Sequence, residues 1–566
     1  MEHVYSDKEN VNTLTALLAA HGIRHAVVCP GSRNAPIVHN LNEAPDIACH
    51  PVTDERSAGF YALGMALALD EPVAVCVTSG TALLNLMPAV AEAYHQHVPV
   101  VVISADRPQA WIGQLDGQTL PQADALGRFV GRAVSLPEPH DDEERWFCNR
   151  LVNEALIVAR RRQPVHINVP ISEPLFRFSC HRLPDERCIR FAEPHADSVD
   201  DALLRDYCRA RRPMVVVGQY HQPDGPFCAA LSRLGRRCVV LHEALAHPQG
   251  GVCIDEALLS IPPGDEDSYA PDFLLYLGDT FVSKRLRRFL RGRRITGGAW
   301  EVTEDGCLHD TFQCVSGVVS GPARDVLEAL SRLPDDGGCH DVTPAEPDYL
   351  RRWSSALQAA AALRDAFMPD YSQMAVVKAF EALLGGDGGE WAVHYANSSA
   401  VRLADIYARH YVFCNRGVNG IEGSLSAAAG FSLVVGGRVF CVVGDLSFFY
   451  DQNALWQQQL RGNLRILLLN NGGGGIFRQL QGLGLSPACD RLVAARHSTT
   501  AEGICRQNGV GYMSVSDAAQ LQPSLVRLIG AASDRPLLLE VFTDPAEDAR
   551  VLQRYWALFA AAAGQS

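Results

Sequence analysis

Residues 464–477 read LRILLLNNGGGGIF, an apolar run followed by two asparagines, four glycines and a second apolar pair. The apolar run predicts a buried strand. Each glycine held in one conformation costs about 0.5–1 kcal/mol more backbone entropy than alanine would. We therefore expect the loop after this strand to lie where another group must approach the backbone closely.

Similar Val-, Ile- and Leu-rich runs alternate with helical patterns along the 566 residues, which is typical of parallel sheets built from βαβ units. Two polar seams, at 181–201 and 333–349, divide the chain into three blocks. We predict an α/β protein of three doubly wound parallel-sheet domains, at residues 1–182, 198–335 and 350–566. The runs predicted as strands are 25–30, 72–80, 98–106, 213–219, 237–243, 272–279, 390–396, 438–445 and 464–470.

The composition limits the classes of partner. The formal net charge of −14 disfavours non-specific binding to nucleic acid or to an anionic membrane. The N-terminus lacks a basic segment followed by an apolar core, and no apolar stretch reaches the roughly 18 residues of a membrane span. These features predict a cytoplasmic protein with no integral membrane segment, in which any anionic substrate must be met by local cations.

A second strand of the third block, RVFCVVGD (438–445), ends in Asp445. A helical segment predicted at 451–460 would return the chain, by a right-handed crossover, to a parallel strand that ends before Asn471. The Asp445 carboxylate, the Asn471 amide oxygen and the Gly473 carbonyl would then offer the hard oxygen ligands that Mg²⁺ prefers, with phosphates and water completing the shell. The alternative is a glycine-rich turn beside an aspartate that caps a helix.

This pattern resembles the GDG…NN motif of the thiamine diphosphate-dependent enzymes, although Leu446 stands where most members have a second glycine. With PGSRNAP, DERSAGF, TSGTA, ADRP and GDLSF, the chain is similar to the MenD family of menaquinone biosynthesis, a branch of these enzymes. The resemblance implies a thiamine diphosphate-binding fold with pyrimidine-binding, central Rossmann-like and diphosphate-binding domains. It also implies thiamine diphosphate with Mg²⁺ or Mn²⁺, held by Asp445, Asn471 and Gly473.

Glu55 stands in the first turn of a predicted helix, where acids stabilise helices by about 0.3–1 kcal/mol. A structural role is therefore one interpretation, but the apolar helix behind Glu55 predicts its burial. The resemblance implies that Glu55 is the catalytic residue that hydrogen-bonds the cofactor's aminopyrimidine N1′. It further implies that Glu55 and the metal site come from different subunits, in a homodimer or a dimer of dimers. The other cofactor-binding residues that it implies are Ser398, Ile421, Leu446 and Ser447, with Ile421 as an apolar wedge under the cofactor or, alternatively, a core residue.

Guanidinium groups bind carboxylates bidentately and keep their charge when partly buried. Several arginines follow predicted strand ends, whereas the segment FVSKRLRRFL (281–290) is basic throughout. By sequence alone, about half of these cations could be surface charges. The resemblance implies 2-oxoglutarate and isochorismate as the small-molecule substrates. The candidate substrate-binding residues are Ser32, Arg33, Arg107, Gln118, Lys284, Arg285, Arg402, Arg416, Ile476 and Phe477.

The resemblance implies a transferase that decarboxylates 2-oxoglutarate and adds the resulting succinyl unit to isochorismate by 1,4-addition. One alternative is another thiamine diphosphate-dependent carboligase or decarboxylase, such as an acetolactate-synthase-like enzyme. A second alternative is a non-catalytic regulatory protein of the same fold. The presence of Glu55, Asp445 and Asn471 counts against the second alternative.

Overall fold

The structure is a computed structural model that describes residues 3–189, 200–221, 223–291, 293–333, 343–385, 390–479 and 482–564. Its described strands form three parallel sheets, of six, five and five strands, and one two-stranded antiparallel pair. The predicted α/β class is confirmed, and all nine runs predicted as strands form strands. The domain bounds stay a prediction, and residues 1, 2, 198, 199, 334, 335, 565 and 566 at these bounds lie outside the described residues. Below, the N-terminal, central and C-terminal regions are residues 3–189, 200–333 and 343–564.

The N-terminal region contains a sheet with helices on both faces. Its strands are β1 (Tyr5–Ser6), β2 (His25–Val28), β3 (Ala48–Pro51), β4 (Val73–Val77), β5 (Val100–Asp106), β6 (Arg132–Ser135), β7 (Val165–Pro170) and β8 (Phe178–Cys180). Its helices are α1 (Glu9–Ala20), α2 (Ala35–Glu43), α3 (Glu55–Leu69), α4 (Thr81–Asn85), α5 (Met87–His95) and α6 (Asp142–Arg160). The parallel sheet has the order β3-β2-β4-β5-β7-β6, and β1 pairs with β8.

The central region contains a second parallel sheet, of order β10-β9-β11-β12-β13. These strands are β9 (Pro213–Val217), β10 (Val239–His242), β11 (Phe273–Leu277), β12 (Ala299–Thr303) and β13 (Gly317–Ser320). The helices are α7 (Asp201–Arg209), α8 (Gly225–Leu234), α9 (Ile254–Leu259), α10 (Lys284–Leu290) and α11 (Ala323–Ser331).

The C-terminal region contains the third parallel sheet, of order β14-β15-β16-β18-β17. These strands are β14 (Trp391–Tyr395), β15 (Arg438–Gly444), β16 (Leu464–Asn470), β17 (Gly511–Val515) and β18 (Leu537–Phe542). The helices are α12 (Pro347–Ala366), α13 (Gln373–Leu384), α14 (Ser399–Tyr407), α15 (Ser424–Val434), α16 (Asp445–Tyr450), α17 (Glu502–Gln507), α18 (Ala518–Gly530) and α19 (Pro545–Ala563).

One predicted element is wrong in its position. The helix expected at 451–460 is replaced by α16, which begins at Asp445, and by a short 3₁₀ turn at Gln452–Leu455. Asp451 ends α16, because its buried carboxylate accepts hydrogen bonds from the backbone N–H and the hydroxyl of Ser426 in α15. The helical part of the crossover is therefore shorter than expected, yet β15 and β16 still pair in parallel.

The N-terminal and C-terminal regions meet where helix α3 packs on helix α15. A Cβ atom added to Gly64 of α3 would lie 2.0 Å from the Ala427 carbonyl oxygen. A Cβ atom added to Gly430 of α15 would lie 2.3 Å from the Tyr61 carbonyl oxygen. Only glycine lets the two backbones approach this closely, and the contact fixes the helix that begins at Glu55 against the C-terminal region.

Candidate active site

Asp445 and Asn471 lie side by side at the carboxyl ends of β15 and β16, where Gly444 is paired with Leu469. Asp445 is 3% exposed, and its Oδ2 accepts the backbone N–H groups of Asn471 at 3.1 Å and Gly473 at 2.9 Å. The loop that contains Gly473 therefore curls around the Asp445 carboxylate. Gly473 has φ of +151°, a conformation that favours glycine.

The Asn471 side chain is oriented by Asp548 of helix α19. Asn471 Nδ2 donates to Asp548 Oδ2 at 2.9 Å, which leaves the amide oxygen as the acceptor for a metal ion. Asp548 is itself fixed, because it also accepts the Thr543 hydroxyl and the Gln373 backbone N–H. Sequence analysis missed Asp548, since no motif connects it to residues about 77 positions earlier.

The chemistry of these donors fits a hard divalent cation. Burial raises the pKa of Asp445, whereas hydrogen bonds from the N–H groups of Gly473 and Leu446 lower it. The imidazole of His497, which sequence analysis also missed, lies close to this carboxylate, with its Nε2 3.4 Å from Asp445 Oδ2. Within the described residues, no group of three or more His, Cys, Asp or Glu side chains could hold a metal. A cation here would therefore rely on amide, carbonyl, phosphate and water oxygens besides one carboxylate.

The three other residues proposed for the cofactor around Asp445 are connected by hydrogen bonds. Leu446 donates its N–H to Asp445 Oδ1 at 2.6 Å, and the buried Ser447 hydroxyl donates to the Ile421 carbonyl. The Ile421 residue is 43% exposed. Ile421 is thus no ordinary core residue, since its side chain is available to a bound group.

A cavity of ≈ 380 Å³ opens beside Asn471. Basic side chains from the central and C-terminal regions line this cavity, together with the apolar side chain of Ile476. The candidate residues that line it are Lys284, Arg285, Arg402, Asn471 and Ile476. Lys284 and Arg285 therefore belong to a shared cavity, whatever the basic character of α10. Phe477 instead contacts the adjacent loop, where a Cβ atom on Gly474 would lie 2.7 Å from its ring.

Arg402 and Ser398 form a contact at the start of helix α14. Arg402 Nη1 donates to the Ser398 carbonyl at 2.6 Å. Burial and the nearby Arg416 guanidinium lower the pKa of Arg402, whereas the charges of Asp255 and Glu243 raise it. Ser398 has φ of +76°, an uncommon conformation for a residue with a side chain. It turns the chain sharply after β14 and directs the carbonyl toward Arg402.

Arg416 is 7% exposed and is oriented from both sides. Its Nη1 donates to Asn397 Oδ1 and its Nη2 to the Phe281 carbonyl, each at 3.1 Å. Its Nε finds no acceptor among the described residues. Burial raises the pKa of the neighbouring Glu243 to about 7, although backbone hydrogen bonds and the Arg416 charge lower it.

Arg33 lies at the carboxyl end of β2 in the N-terminal region. It is 8% exposed, with Nη1 donating to the Ile171 carbonyl at 2.9 Å and Nη2 3.2 Å from Glu173 Oε1. Ser32, directly before it, is exposed. The guanidinium is therefore held in place while the preceding hydroxyl is accessible.

Arg107 follows β5 and is tied to the loop that carries Gln118. Its Nε lies 2.5 Å from Asp116 Oδ2, and its Nη1 donates to the Ser79 hydroxyl and the Gln118 carbonyl. Burial raises the pKa of Asp106, whereas the charges of both Arg107 and Arg33 lower it, so both cations act on this carboxylate. Gln118 is exposed and has φ of +55°.

Glu55 is the first residue of α3, after the capping residue Asp54, which accepts the N–H groups of Arg56 and Ser57. Asn85 Nδ2 donates to Glu55 Oε2 at 3.1 Å. Glu55 is only partly buried in the single chain, less than the sequence predicts. The cause is its place at the helix end, since burial in α3 begins at Ser57.

The structure thus gathers the candidates into two groups. The residues that line the cavity all come from positions 255–556. The first group, at the N-terminal sheet, is Ser32, Arg33, Glu55, Arg107 and Gln118. The second group is Lys284, Arg285, Ser398, Arg402, Arg416, Ile421, Asp445, Leu446, Ser447, Asn471, Gly473, Ile476 and Phe477.

Comparison with known proteins places both groups in one family. Residues 10–126 match the N-terminal TPP binding domain of thiamine pyrophosphate enzymes, and residues 396–541 match the C-terminal TPP binding domain. A 2-succinyl-5-enolpyruvyl-6-hydroxy-3-cyclohexene-1-carboxylate synthase of Phocaeicola vulgatus is 42% identical over 98% of this chain and 99% of its own. Synthases of the same name from Bacteroides fragilis, 43% identical over 98% and 99%, and Desulfotalea psychrophila, 35% identical over 95% and 99%, are also similar. The chain belongs to this synthase family.

Membership of the synthase family confirms the resemblance found in the sequence. The family is a branch of the thiamine pyrophosphate enzymes, so the cofactor is thiamine diphosphate, which such enzymes bind with a divalent metal such as Mg²⁺. The two matched segments contain the N-terminal and C-terminal groups described above, apart from Lys284 and Arg285. These two cations come from the central region, which lies between the matched segments.

Proposed function

We propose that this chain catalyses the thiamine diphosphate-dependent decarboxylation of 2-oxoglutarate and the 1,4-addition of the succinyl unit to isochorismate. The product is 2-succinyl-5-enolpyruvyl-6-hydroxy-3-cyclohexene-1-carboxylate, a step of menaquinone biosynthesis. The observation that carries the proposal is the cavity in which Lys284, Arg285 and Arg402 meet beside Asn471 and Ile476. Both substrates are carboxylates, which these three cations suit. The cavity is also lined by four acidic residues whose pKa burial raises, namely Asp255, Glu256, Asp405 and Asp548.

Each group of residues has a role in this reaction. Asp445, Asn471 and the Gly473 carbonyl would hold Mg²⁺, or Mn²⁺, which would neutralise the charge of the cofactor diphosphate. The bound cofactor supplies an electron sink at the carbon that loses CO₂. Glu55 holds a proton at the aminopyrimidine N1′.

The side chains around the reacting carbon bind and orient the substrates. Ser398, Ile421, Leu446 and Ser447 shape the cofactor site, with Ile421 supplying an apolar surface beneath it. The substrate carboxylates are oriented by guanidinium and ammonium groups, and orientation of two reactants is itself a large part of catalysis. Ile476 and Phe477 exclude water from the reacting carbon. The remaining substrate contacts proposed are Ser32, Arg33, Arg107, Gln118, Lys284, Arg285, Arg402 and Arg416.

A homodimer, alone or paired into a tetramer, is the proposed active unit. This is supported by the incomplete burial of Glu55 in the single chain and by the absence of N-terminal residues from the part of the cavity lining that the structure describes. A second subunit would bring the N-terminal group of one chain to the C-terminal group of another. We also propose a cytoplasmic location without nucleic-acid binding; among described residues, no helix has the length and apolarity to cross a membrane.

The test is CO₂ release by purified protein with thiamine diphosphate and Mg²⁺, on a panel of 2-oxoacids, with and without isochorismate. We expect release from 2-oxoglutarate that rises when isochorismate is present, and a product carrying both carbon skeletons. Equal or greater turnover of pyruvate would favour the acetolactate-synthase-like alternative, whose small substrate does not need so many cations. No CO₂ from 2-oxoglutarate with isochorismate present would overturn the proposal.

A further inference from the structure

The segment Cys414–Ile421, here called the Arg416 loop, is held by residues of all three regions. It carries two candidate site residues, Arg416 and Ile421. Gln219 of the central region donates to the Cys414 carbonyl at 2.9 Å, where the loop begins. Asn397 of the C-terminal region donates to the Gly420 carbonyl at 2.8 Å, near its end. Hydrogen bonds therefore hold the loop near both of its ends.

The peptide unit between Arg416 and Gly417 is hydrogen-bonded on both sides, to one residue of the central region and one of the N-terminal region. Its carbonyl oxygen accepts the Thr280 hydroxyl at 2.9 Å, from the central region. Its N–H donates to Glu92 Oε1 at 2.7 Å, from helix α5 of the N-terminal region. The next N–H, of Val418, donates to Glu92 Oε2, also at 2.7 Å. One carboxylate therefore binds two successive backbone amides directly after Arg416.

The fit between this loop and helix α5 is tight. Glu92 is 3% exposed, and Gln96 of the next helical turn also donates to it. A Cβ atom on Gly417 would lie 2.9 Å from the Glu92 carbonyl oxygen and 3.0 Å from His95 Cβ. Burial raises the pKa of Glu92, and hydrogen bonds from Val418, Gln96 and Gly417 lower it. Burying a carboxylate is costly unless it is hydrogen-bonded, and here two of the compensating bonds come from the Arg416 loop.

We infer that Glu92 is a positioning residue for Arg416, and that Thr280 is its counterpart on the other side of the same peptide unit. Glu92 is not one of the candidate substrate- or cofactor-binding residues; it fixes the backbone from which the Arg416 guanidinium extends toward Asn397 and Phe281. This rests on the proposed function, because it takes Arg416 as a ligand of a substrate carboxylate. Three regions thereby meet at one substrate-binding arginine.

The first test is Glu92→Gln in the holoenzyme. Glutamine keeps the shape but offers one acceptor, so one of the two backbone N–H groups would face an amide N–H₂ instead. We expect about a tenfold rise in KM for one of the two carboxylate substrates with kcat within about twofold, which is the pattern of lost binding common to ground and transition states. Thr280→Val should move the same KM in the same direction.

Asp272→Asn is the matched control. Asp272 also binds two successive backbone N–H groups, of Arg211 at 2.9 Å and Arg212 at 2.7 Å, but in the central region away from the Arg416 loop. It should lower the urea midpoint without changing either KM. An Arg416→Ala background separates positioning from general destabilisation: there Glu92→Gln should cause no further rise in KM, because residues that act through one another are not additive.

A second measurement keeps the inference independent of turnover. Hydrogen exchange at the Gly417 and Val418 amides should accelerate in Glu92→Gln and stay unchanged in Asp272→Asn. Unchanged KM values in an active Glu92→Gln enzyme, or unchanged exchange at these amides, would overturn the inference alone. A wild-type protein that turns over neither substrate would overturn the proposed function, and the exchange experiment would still decide whether Glu92 orders the loop.

Discussion

The N-terminal and C-terminal sheets are two versions of one arrangement. The first has the order β3-β2-β4-β5-β7-β6, and the second β14-β15-β16-β18-β17. A parallel bridge between Phe413 and His394 occupies, beside β14, the place that β3 takes beside β2. With this bridge counted as an edge strand, the two sheets have the same order along the chain. The difference between them therefore lies in the residues that follow the strands.

Equivalent strand ends carry opposite chemistry. Arg107 follows β5 of the first sheet, and Asn471 follows the corresponding β16 of the second. The first edge holds two guanidinium groups around Asp106, whereas the second holds the buried Asp445 carboxylate within a glycine-rich loop. We propose that the Arg33 and Arg107 edge is an anion-binding edge and the Asp445 edge a cation-binding edge, because the reaction needs both a metal–diphosphate group and carboxylate substrates.

The largest expected effect comes from Glu55→Gln. This variant tests whether the N-terminal sheet provides a proton-transfer group as well as the guanidinium groups of Arg33 and Arg107. We expect activity to fall by about 10²–10⁴-fold, the range for a group that moves a proton in catalysis. Cofactor affinity, measured by calorimetry, should change far less. Glu9→Gln is the control, since Glu9 likewise begins a helix, α1. Full activity in Glu55→Gln would revive a purely structural role for this glutamate.

The next effect concerns the cation-binding edge. Asp445→Asn should abolish Mg²⁺-dependent binding of thiamine diphosphate, as should a chelator with the wild type. Asp548→Asn should weaken it by about 10–100-fold, because Asp548 orients Asn471 as an outer-shell partner. Arg107→Ala, on the opposite edge, should change a substrate KM and leave the metal dependence intact. Equal loss of metal dependence in all three variants would erase the distinction between the edges.

A smaller effect is expected where the N-terminal and C-terminal regions pack on each other through helices α3 and α15. Gly64→Ala and Gly430→Ala each place a Cβ atom within 2.3 Å of a backbone carbonyl of the facing helix. Overpacking of this kind costs about 1–3 kcal/mol, which urea unfolding would detect. Gly503→Ala is the control, since a Cβ atom there meets nothing within 4 Å. If only one of the two variants is destabilised, the prediction that both glycines are needed for the close packing of α3 on α15 is wrong.

The smallest effect is a pH-dependent loss of stability in the C-terminal region, at the pair of His410 and Glu381. Burial lowers the pKa of His410, but the Glu381 hydrogen bond and charge outweigh it, so the net pKa is raised. The pair of His410 and Glu381 therefore contributes its full stabilisation at pH values below the pKa of His410 in the unfolded chain, about 6.5. This contribution is lost as the pH rises through the pKa of His410 in the folded chain. Urea midpoints should show His410→Gln costing more at pH 5.5 than at pH 8.5. The reverse order would contradict the raised pKa.

Short-range pattern was enough to predict the strands and the Asp445–Asn471 pair. Continuous Val, Ile and Leu runs indicate strands covered on both faces, and a parallel βαβ unit places consecutive strand ends together. The helix between them was misplaced, because its end depends on the buried contact of Asp451 with Ser426. Residue roles implied by family resemblance stay predictions until the variants above are measured.

The supporting residues could not be predicted from sequence. Asp548, His497 and Glu92 act on residues distant in the chain, and each is an isolated acid or imidazole with no local pattern around it. Glu92 stands in an ordinary helix and meets Gly417 325 positions later. Such contacts depend on how regions are packed together, which neither periodicity nor motif spacing encodes.

The close packing of α3 on α15 limits how the chain can be divided into fragments. Residues Ser57–Leu67 of α3 are buried, partly against α15, and Gly64 and Gly430 let the two helix backbones approach closely. A fragment that ends before residue 343 would present this apolar helix face to water. Separate expression of the N-terminal region should therefore yield aggregates, whereas co-expression with the C-terminal region could restore the missing cover.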